Sequence, residues 1–304
     1  MCGFFSSDSK HARTKSRAKH DVCMGDPLLY NLEHFISHGL RNEDGLDLDL
    51  IKSTAVAMVK HLRSNRDEPA VDLVLERRWY DALEQGHIDW SVYNDALYLS
   101  ELWSCWMIYS KRYLHDMQMP NKIGTKSIMQ DVGEVERVVD LGCGFAYTTA
   151  VLKSMYPDAD VVGTNLAGTM QTRVAKRVAK EYGFTVATKL SMIKSPVDLI
   201  FASEYFEHIQ DPIEHLHEVL DVLTPKCLIM ANSFNTSAIG HFSTYLVDGR
   251  SINQSKIARI FNDELRRRGY QKMSTKLWNN RPMYWKRQNN RQSSRIRQIE
   301  LLMS

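Results

Sequence analysis

The chain has 304 residues, 43% of them hydrophobic and 25% charged, a length that suits one large domain or a catalytic domain with a smaller appendage. No apolar run approaches the ~18 residues needed to span a bilayer, which argues against a membrane protein. The net charge of +3 conceals an asymmetry: eleven Lys or Arg and no acid fall between Arg266 and Arg297, so the rest of the chain is net acidic. Such a basic end suits a solvated tail or a polyanion partner. The five cysteines (Cys2, Cys23, Cys105, Cys143, Cys227) are scattered, with no C-x-x-C pair. Neither a disulfide framework nor a metal site is predicted, and a reducing, cytoplasmic compartment is the expectation.

Residues 1–25 read as a flexible basic arm without the apolar core of a secretory signal. Residues 26–120 read as a helical region. "LDLIKSTAVAMVKHL" sets Leu48, Ile51, Ala55, Met58, Val59 and Leu62 at helical intervals, and "VDLVLERRWYDALEQG" repeats the spacing and closes on Gly86. The third segment, "SVYNDALYLSELWSCWMIYSKRYLHDM", carries two adjoining apolar faces, Tyr98/Leu102/Cys105/Tyr109 and Leu99/Trp103/Trp106/Tyr113. Two such stripes predict a helix sandwiched in a core, with a lid over a pocket as the alternative.

From Gly133 the pattern changes. "RVVDLG", "ADVVGTN", "VDLIFAS" and "CLIMANS" read as buried strands, "FTVATKL" as a weaker one, with helical segments such as "TMQTRVAKRVAKEYG" between them. Strands alternating with helices predict a parallel α/β sheet covered on both faces. "INQSKIARIFNDELRRRGY" reads as a helix with Ile252, Ile257, Ile260, Phe261 and Leu265 inward, and "KMSTKLW" with "PMYWKR" as an antiparallel hairpin around Asn279-Asn280. The domain so defined covers 121–287, followed by a basic tail over 288–304.

Two glycines, Gly142 and Gly144, follow the first strand in "VVDLGCGFAYTT". They allow a tight turn that leaves a ligand room to approach, and the next helix offers unpaired N–H groups. "DLGCGFA" resembles the D-x-G-x-G-x-[G/A] signature of class I S-adenosylmethionine-dependent methyltransferases. "VDLIFASEYFEHIQDPIEHLHEVLDVLTPKCLIMAN" resembles the E-H-[IV]-x-D-P region of the ubiquinone and menaquinone biosynthesis type. The resemblance covers about residues 125–287. It implies a Rossmann-like seven-stranded sheet with its last strand antiparallel and S-adenosylmethionine as cofactor. By position it assigns Asp140, Gly142, Gly144, Ala146, Asn165, Leu166, Ser191, Met192 and Ser203 to the cofactor. Asn165 replaces the family's usual acid after the second strand, Ser191 and Met192 stand where another acid is frequent, and Lys226-Cys227 replaces a Gly-Gly.

In "SEYFEHIQDP", Asp211, Pro212 and Glu214 read as a capping box, a structural device. Glu204 and His208 fall where the fourth strand ends, and a carboxylate or imidazole there suits proton acceptance from an attacking hydroxyl or amine. "NSFNTSAIGHFSTY" is expected to cross above the pocket, with His241 a third catalytic candidate, Asn232 and Tyr245 further polar ones, and Phe234 and Phe242 excluding water. The leading expectation is methyl transfer to O, N or C of a small molecule. A nucleic-acid methyltransferase using the basic end and Trp278, Tyr284 and Trp285 is the alternative, and a non-catalytic binding module a third.

Overall fold

The computed structural model describes residues 46–64, 73–277 and 281–288, together with Leu32 and Ile36. The expected basic arm, most of the expected tail, and the expected hairpin turn at 278–280 with the stacking candidate Trp278 lie outside the described residues. None of the described helices is long and apolar enough to cross a membrane.

The helical region opens with α1 (Leu48–Ser64) and α2 (Leu73–Glu84), followed by a 3-10 turn at Trp90–Asn94. The third predicted segment is α3 (Ala96–Cys105), one π-helical turn at Trp106–Ser110, and α4 (Lys111–Gln118). Its two faces share the roles foreseen for them. Leu99 and Trp103 are buried in the core and do not line the cavity described below, whereas Trp106 and Tyr113 are buried and line it. Tyr98, Leu102, Cys105 and Tyr109 all line it, Tyr98 buried and the other three half-buried. Helix α3 approaches α1 closely because Ser100, Ser104 and Ala55 are small. Ser100 Oγ donates to Ile51 O at 3.1 Å and Ser104 Oγ to Ala55 O at 3.4 Å, so buried hydroxyls find partners.

After α5 (Ile128–Val132) the sheet begins. Strands β1 (Arg137–Leu141), β2 (Asp160–Thr164), β3 (Thr185–Ala187), β4 (Leu199–Ser203) and β5 (Cys227–Ala231) are parallel, and β8 (Tyr270–Lys272) and β9 (Met283–Arg287) close the edge. The order is β3-β2-β1-β4-β5-β9-β8, with β9 antiparallel to both neighbours. Helices α6 (Tyr147–Met155) and α7 (Met170–Tyr182) cover one face, α8 (Pro212–Leu223) and α9 (Gln254–Arg267) the other. Alternation along the strands builds both cores at once: Val138, Leu199, Phe201 and Ile229 join the first, Val139, Ile200, Ala202 and Leu228 the second. This is the expected seven-stranded α/β architecture with a preceding helical region.

Several local expectations change. Ile252 sits on β7 (Arg250–Asn253), paired with Tyr245 of β6 (Thr244–Val247), and α9 starts only at Gln254, capped by Asn253. The Asp211 carboxylate accepts the Glu214 N–H at 3.0 Å, whereas the reciprocal two-bond capping box occurs at Ser127 and Gln130. The first strand of the terminal hairpin is Tyr270–Lys272, just ahead of the expected "KMSTKLW". Tyr284 and Trp285 are fully buried on β9, because an inner strand presents both faces to packed layers, so neither ring is available for base stacking. Four of the described basic residues are also engaged in ion pairs, Arg266 with Asp263, Arg267 with Glu264, Arg268 with Asp221 and Lys286 with Asp131.

The helical region is joined to the sheet by Trp79 of α2. Its ring is fully buried against Phe242 and Tyr93, and its indole Nε1 donates to His241 O at 2.6 Å. Truncation to alanine is expected to cost about 3–5 kcal/mol through the cavity left behind. Trp79→Phe, which keeps most of the packing and loses the bond, is expected to cost about 1 kcal/mol. Denaturant unfolding of the two variants measures both.

Candidate functional site

A cavity of about 810 Å³ opens at the carboxyl ends of β1, β4 and β5, roofed by α2, α3 and the π-helical turn. Strand order reverses between β1 and β4, so the connections on either side leave for opposite faces and open a crevice there.

On the β1 side, the glycine turn forms as the spacing predicts. Gly142 and Gly144 have φ of 66° and 54°, in the left-handed region that side chains disfavour. Gly142 N donates to Thr164 Oγ1 at 3.0 Å and Cys143 N to Thr164 O at 2.9 Å, fastening the turn to β2. A Cβ on Gly142 would collide with the Tyr205 ring, which is held in place by a 2.8 Å bond to His215 Nε2, so this glycine serves packing as well as ligand access. At Gly144 the nearest atom to such a Cβ is Leu102 Cδ2 at 3.6 Å.

Asp140 lines the cavity although only 2% exposed, and accepts the Thr149 hydroxyl at 2.6 Å. Burial pushes its carboxyl up to about 7, against which the Thr149 and Thr148 hydroxyls pull downward. Ala146, fully buried with φ of 66°, forms the start of α6 behind the turn. Asn165 is committed to the same turn: its Nδ2 donates to Gly144 O and its Oδ1 accepts the Leu166 N–H, each at 2.8 Å. Ala146, Asn165, Leu166, Ser191 and Met192 are not among the residues lining the cavity, and Leu166, Ser191 and Met192 are exposed.

On the β4 side the candidates do converge. Ser203, Glu204, His208 and His241 all line the cavity. Ser203 Oγ lies 3.0 Å from Ser110 Oγ of the π-helical turn. Glu204 N still bonds Ala231 O at 2.7 Å, then its φ of 50° turns the chain out of the sheet. Glu207 lies behind it, fully buried, with Oε1 accepting the Ser233 N–H at 2.6 Å. Burial, reinforced by the neighbouring Glu204 carboxyl, raises Glu207 well above the usual carboxylate range.

The rings of His208 and His241 meet edge to face at 4.8 Å. His208 Nδ1 lies 3.3 Å from Tyr93 Oη. His241 Nδ1 is 2.6 Å from Thr236 O, and since a carbonyl only accepts, that nitrogen carries the proton. The neutral ring therefore has its lone pair on Nε2. Burial lowers the pKa of both histidines, His208 the further.

The loop after β5 contributes Ser233, Thr236, Ser237 and Ala238 to the wall, as expected of a segment crossing the pocket. Phe234 and Phe242 instead pack on Tyr245 in the core, and the Tyr245 hydroxyl bonds Glu207 O at 3.0 Å, so these three are structural. Asn232 is buried and does not line the cavity. Sequence reasoning passed over Glu76, Glu101, Ser110, Tyr113 and Arg281, which line the cavity. The aromatic spacing carried a signal for Tyr113; the others lie in elements whose approach to β4 no local pattern reveals.

Residues 139–231 match the family model for a methyltransferase domain. The trans-aconitate 2-methyltransferase of Azoarcus sp. (strain BH72) is 33% identical over 88 residues, 29% of this chain and 35% of that one. That of Rhodopseudomonas palustris (strain HaA2) is 28% identical over 85 residues, 28% of this chain and 33% of that one. The chain thus spans about a third of the length of these curated relatives. Among solved structures, the plantazolicin methyltransferase BpumL in complex with a pentazolic desmethylPZN analog and SAH is 16% identical, with a TM-score of 0.37 over 61% of each chain. The matched family is the general methyltransferase domain; the narrower ubiquinone and menaquinone type rests on the E-H-x-x-D-P region alone.

The raised Asp140 carboxyl has a consequence for stability. Between about pH 4 and its folded value the native protein holds a proton that the unfolded chain has released, so this stabilisation is complete at low pH and lost as pH rises through about 7. Asp140→Asn is expected to flatten the fall in denaturant midpoint between about pH 4 and 7, and an unchanged slope would contradict the assignment.

Proposed function

We propose that this chain, which carries a class I methyltransferase domain, moves the methyl group of S-adenosylmethionine to a small-molecule acceptor bound in the cavity. The single observation that carries the reading is that the glycine turn after β1 and the polar set at the end of β4 face one cavity at the switch point.

The residues present fit the cofactor. The Gly142–Gly144 turn leaves backbone at the cavity wall, and Asp140, a buried carboxyl at the same edge, is suited to an ammonium group, whose charge would favour the ionised form. When bound, S-adenosylmethionine supplies an electrophilic methyl on a positively charged sulfur. Asn165, which serves Gly144 O through its amide, supports the turn without the acid usual there.

The chain's own part in the reaction is to orient the acceptor, keep water out and accept a proton where the acceptor must lose one. Methyl transfer needs chiefly alignment in a dry site. His241 is the favoured base, because its tautomer is set by Thr236 O and its lowered pKa keeps it unprotonated near neutrality. Glu204 is positioned to hold or polarise the acceptor, and His208, further depressed and beside Tyr93 Oη, to support His241. The names of the curated relatives favour a small acceptor. The burial of Tyr284 and Trp285 weakens the nucleic-acid alternative. The scattered cysteines, with no C-x-x-C pair, suit a reducing compartment such as the cytoplasm.

Calorimetry with S-adenosylmethionine and S-adenosylhomocysteine is the first test, and failure of both to bind at about 1 mM would sink the reading. With methyl-labelled cofactor and a fractionated cell extract, label is expected in the small-molecule fraction; label confined to nucleic acid would overturn it. His241→Gln is expected to lower turnover by about 10²–10⁴-fold for an acceptor that loses a proton, with cofactor affinity retained. The wild-type rate should fall only below histidine's ordinary value of about 6.5, and this acid limb should be absent from the variant.

A further inference from the structure

Among the described residues that line the cavity, Arg281 is the one permanently charged cation, facing a wall that also holds Glu76, Glu101, Asp140 and Glu204. It stands just ahead of β9, the neighbour of β5, and so on the opposite side of β4 from the glycine turn. Its Nη1 donates to Ser233 Oγ at 2.7 Å, and its guanidinium lies beside the hydroxyl of Tyr113, itself 1% exposed. Arg281 enters none of the ion pairs among the described residues.

Two neutral hydroxyls orient this cation without compensating its charge. A guanidinium presents five donors in a planar fork that matches a carboxylate in two parallel bonds. A half-buried positive charge at the wall of a partly enclosed cavity gains most from an anion brought by the ligand. The surrounding carboxyls set the charge of that anion: a doubly charged phosphate would meet more repulsion from Glu204 and its neighbours than a singly charged carboxylate.

We propose that Arg281, its plane fixed by Tyr113 and Ser233, anchors a carboxylate of the methyl acceptor, which is therefore a small organic acid. The anchored carboxylate is a handle and not the methylated group. Lone pairs engaged in a charge-assisted fork are poor nucleophiles, and the atom that receives the methyl lies nearer Glu204, Ser203 and His241. This inference rests on the methyl-transfer reading and specifies the substrate class of the same cavity.

The test separates the two. Binding of S-adenosylhomocysteine to the wild-type chain is measured first; if neither it nor S-adenosylmethionine binds, the methyl-transfer reading itself fails. The protein loaded with S-adenosylhomocysteine is then titrated with crotonate, fumarate and trans-aconitate, whose charges run from one to three, and with the neutral trimethyl ester of trans-aconitate. At least one acid is expected to bind below about 1 mM while the ester does not, and Arg281→Gln to weaken that acid at least about tenfold. Arg281→Lys, which keeps the charge and loses the fork, should fall between. S-adenosylhomocysteine affinity within about twofold of wild type shows that each variant is folded and that Arg281 does not hold the cofactor. Equal binding of acid and ester, no acid binding at about 10 mM, or loss of S-adenosylhomocysteine affinity in place of acid affinity would each overturn the proposal.

Discussion

The reversal of strand order between β1 and β4 is the constraint from which the rest of the molecule follows. Strand β1 hands its chain to α6 on one face, while β4 and β5 send theirs toward α8 and the post-β5 loop on the other. No helix can close the gap between them, so backbone at Gly142–Gly144 and at Ser203–Glu204 is left facing the same space. The crevice at this edge is a result of topology before it is a result of any side chain.

An open crevice of this kind must be covered to be dry, and the helical region supplies the cover. Its attachment is mixed in character: apolar through Trp79 and Phe242, polar through the indole bond to His241 O and the Ser110–Ser203 contact. The second of these places the π-helical turn directly over the end of β4. A π turn adds a residue to the helical period, and here Trp106, Tyr109, Ser110 and Tyr113 all reach the cavity wall, the rings of Trp106 and Tyr113 being buried as well.

The sheet was legible in the sequence because a two-sided buried strand needs continuous apolar residues, and the glycine turn because a left-handed backbone demands glycine at 142 and 144. Glu204 could be named as a candidate because it follows β4 directly, and His241 because it lies in the loop after β5, where loops face the crevice. What could not be read depended on distant approach. Arg281 and Ser233 are 48 residues apart, and Trp79 and His241 are 162 apart, with no local pattern to announce either contact. Phe234, Phe242, Tyr284 and Trp285 misled for a related reason: an aromatic residue looks the same in sequence whether it walls a pocket, stacks on a ligand or fills a core. Ile252 misled because a strand of four residues joined directly to α9 blurs into the helical period.

Trp79's bond to the main chain at His241 carries one more implication. The imidazole whose proton position is set by Thr236 O sits on backbone held by α2, so this edge of the cavity and its roof are one mechanical unit. The glycine turn is fastened separately, by Thr164 and Asn165 from β2. Evolution thus has two independent handles on this fold. Substitutions in α2, α3 and the π turn can reshape what the cavity accepts while the β1–β2 edge stays fixed, and a fragment beginning at the sheet would keep that edge and lose the roof.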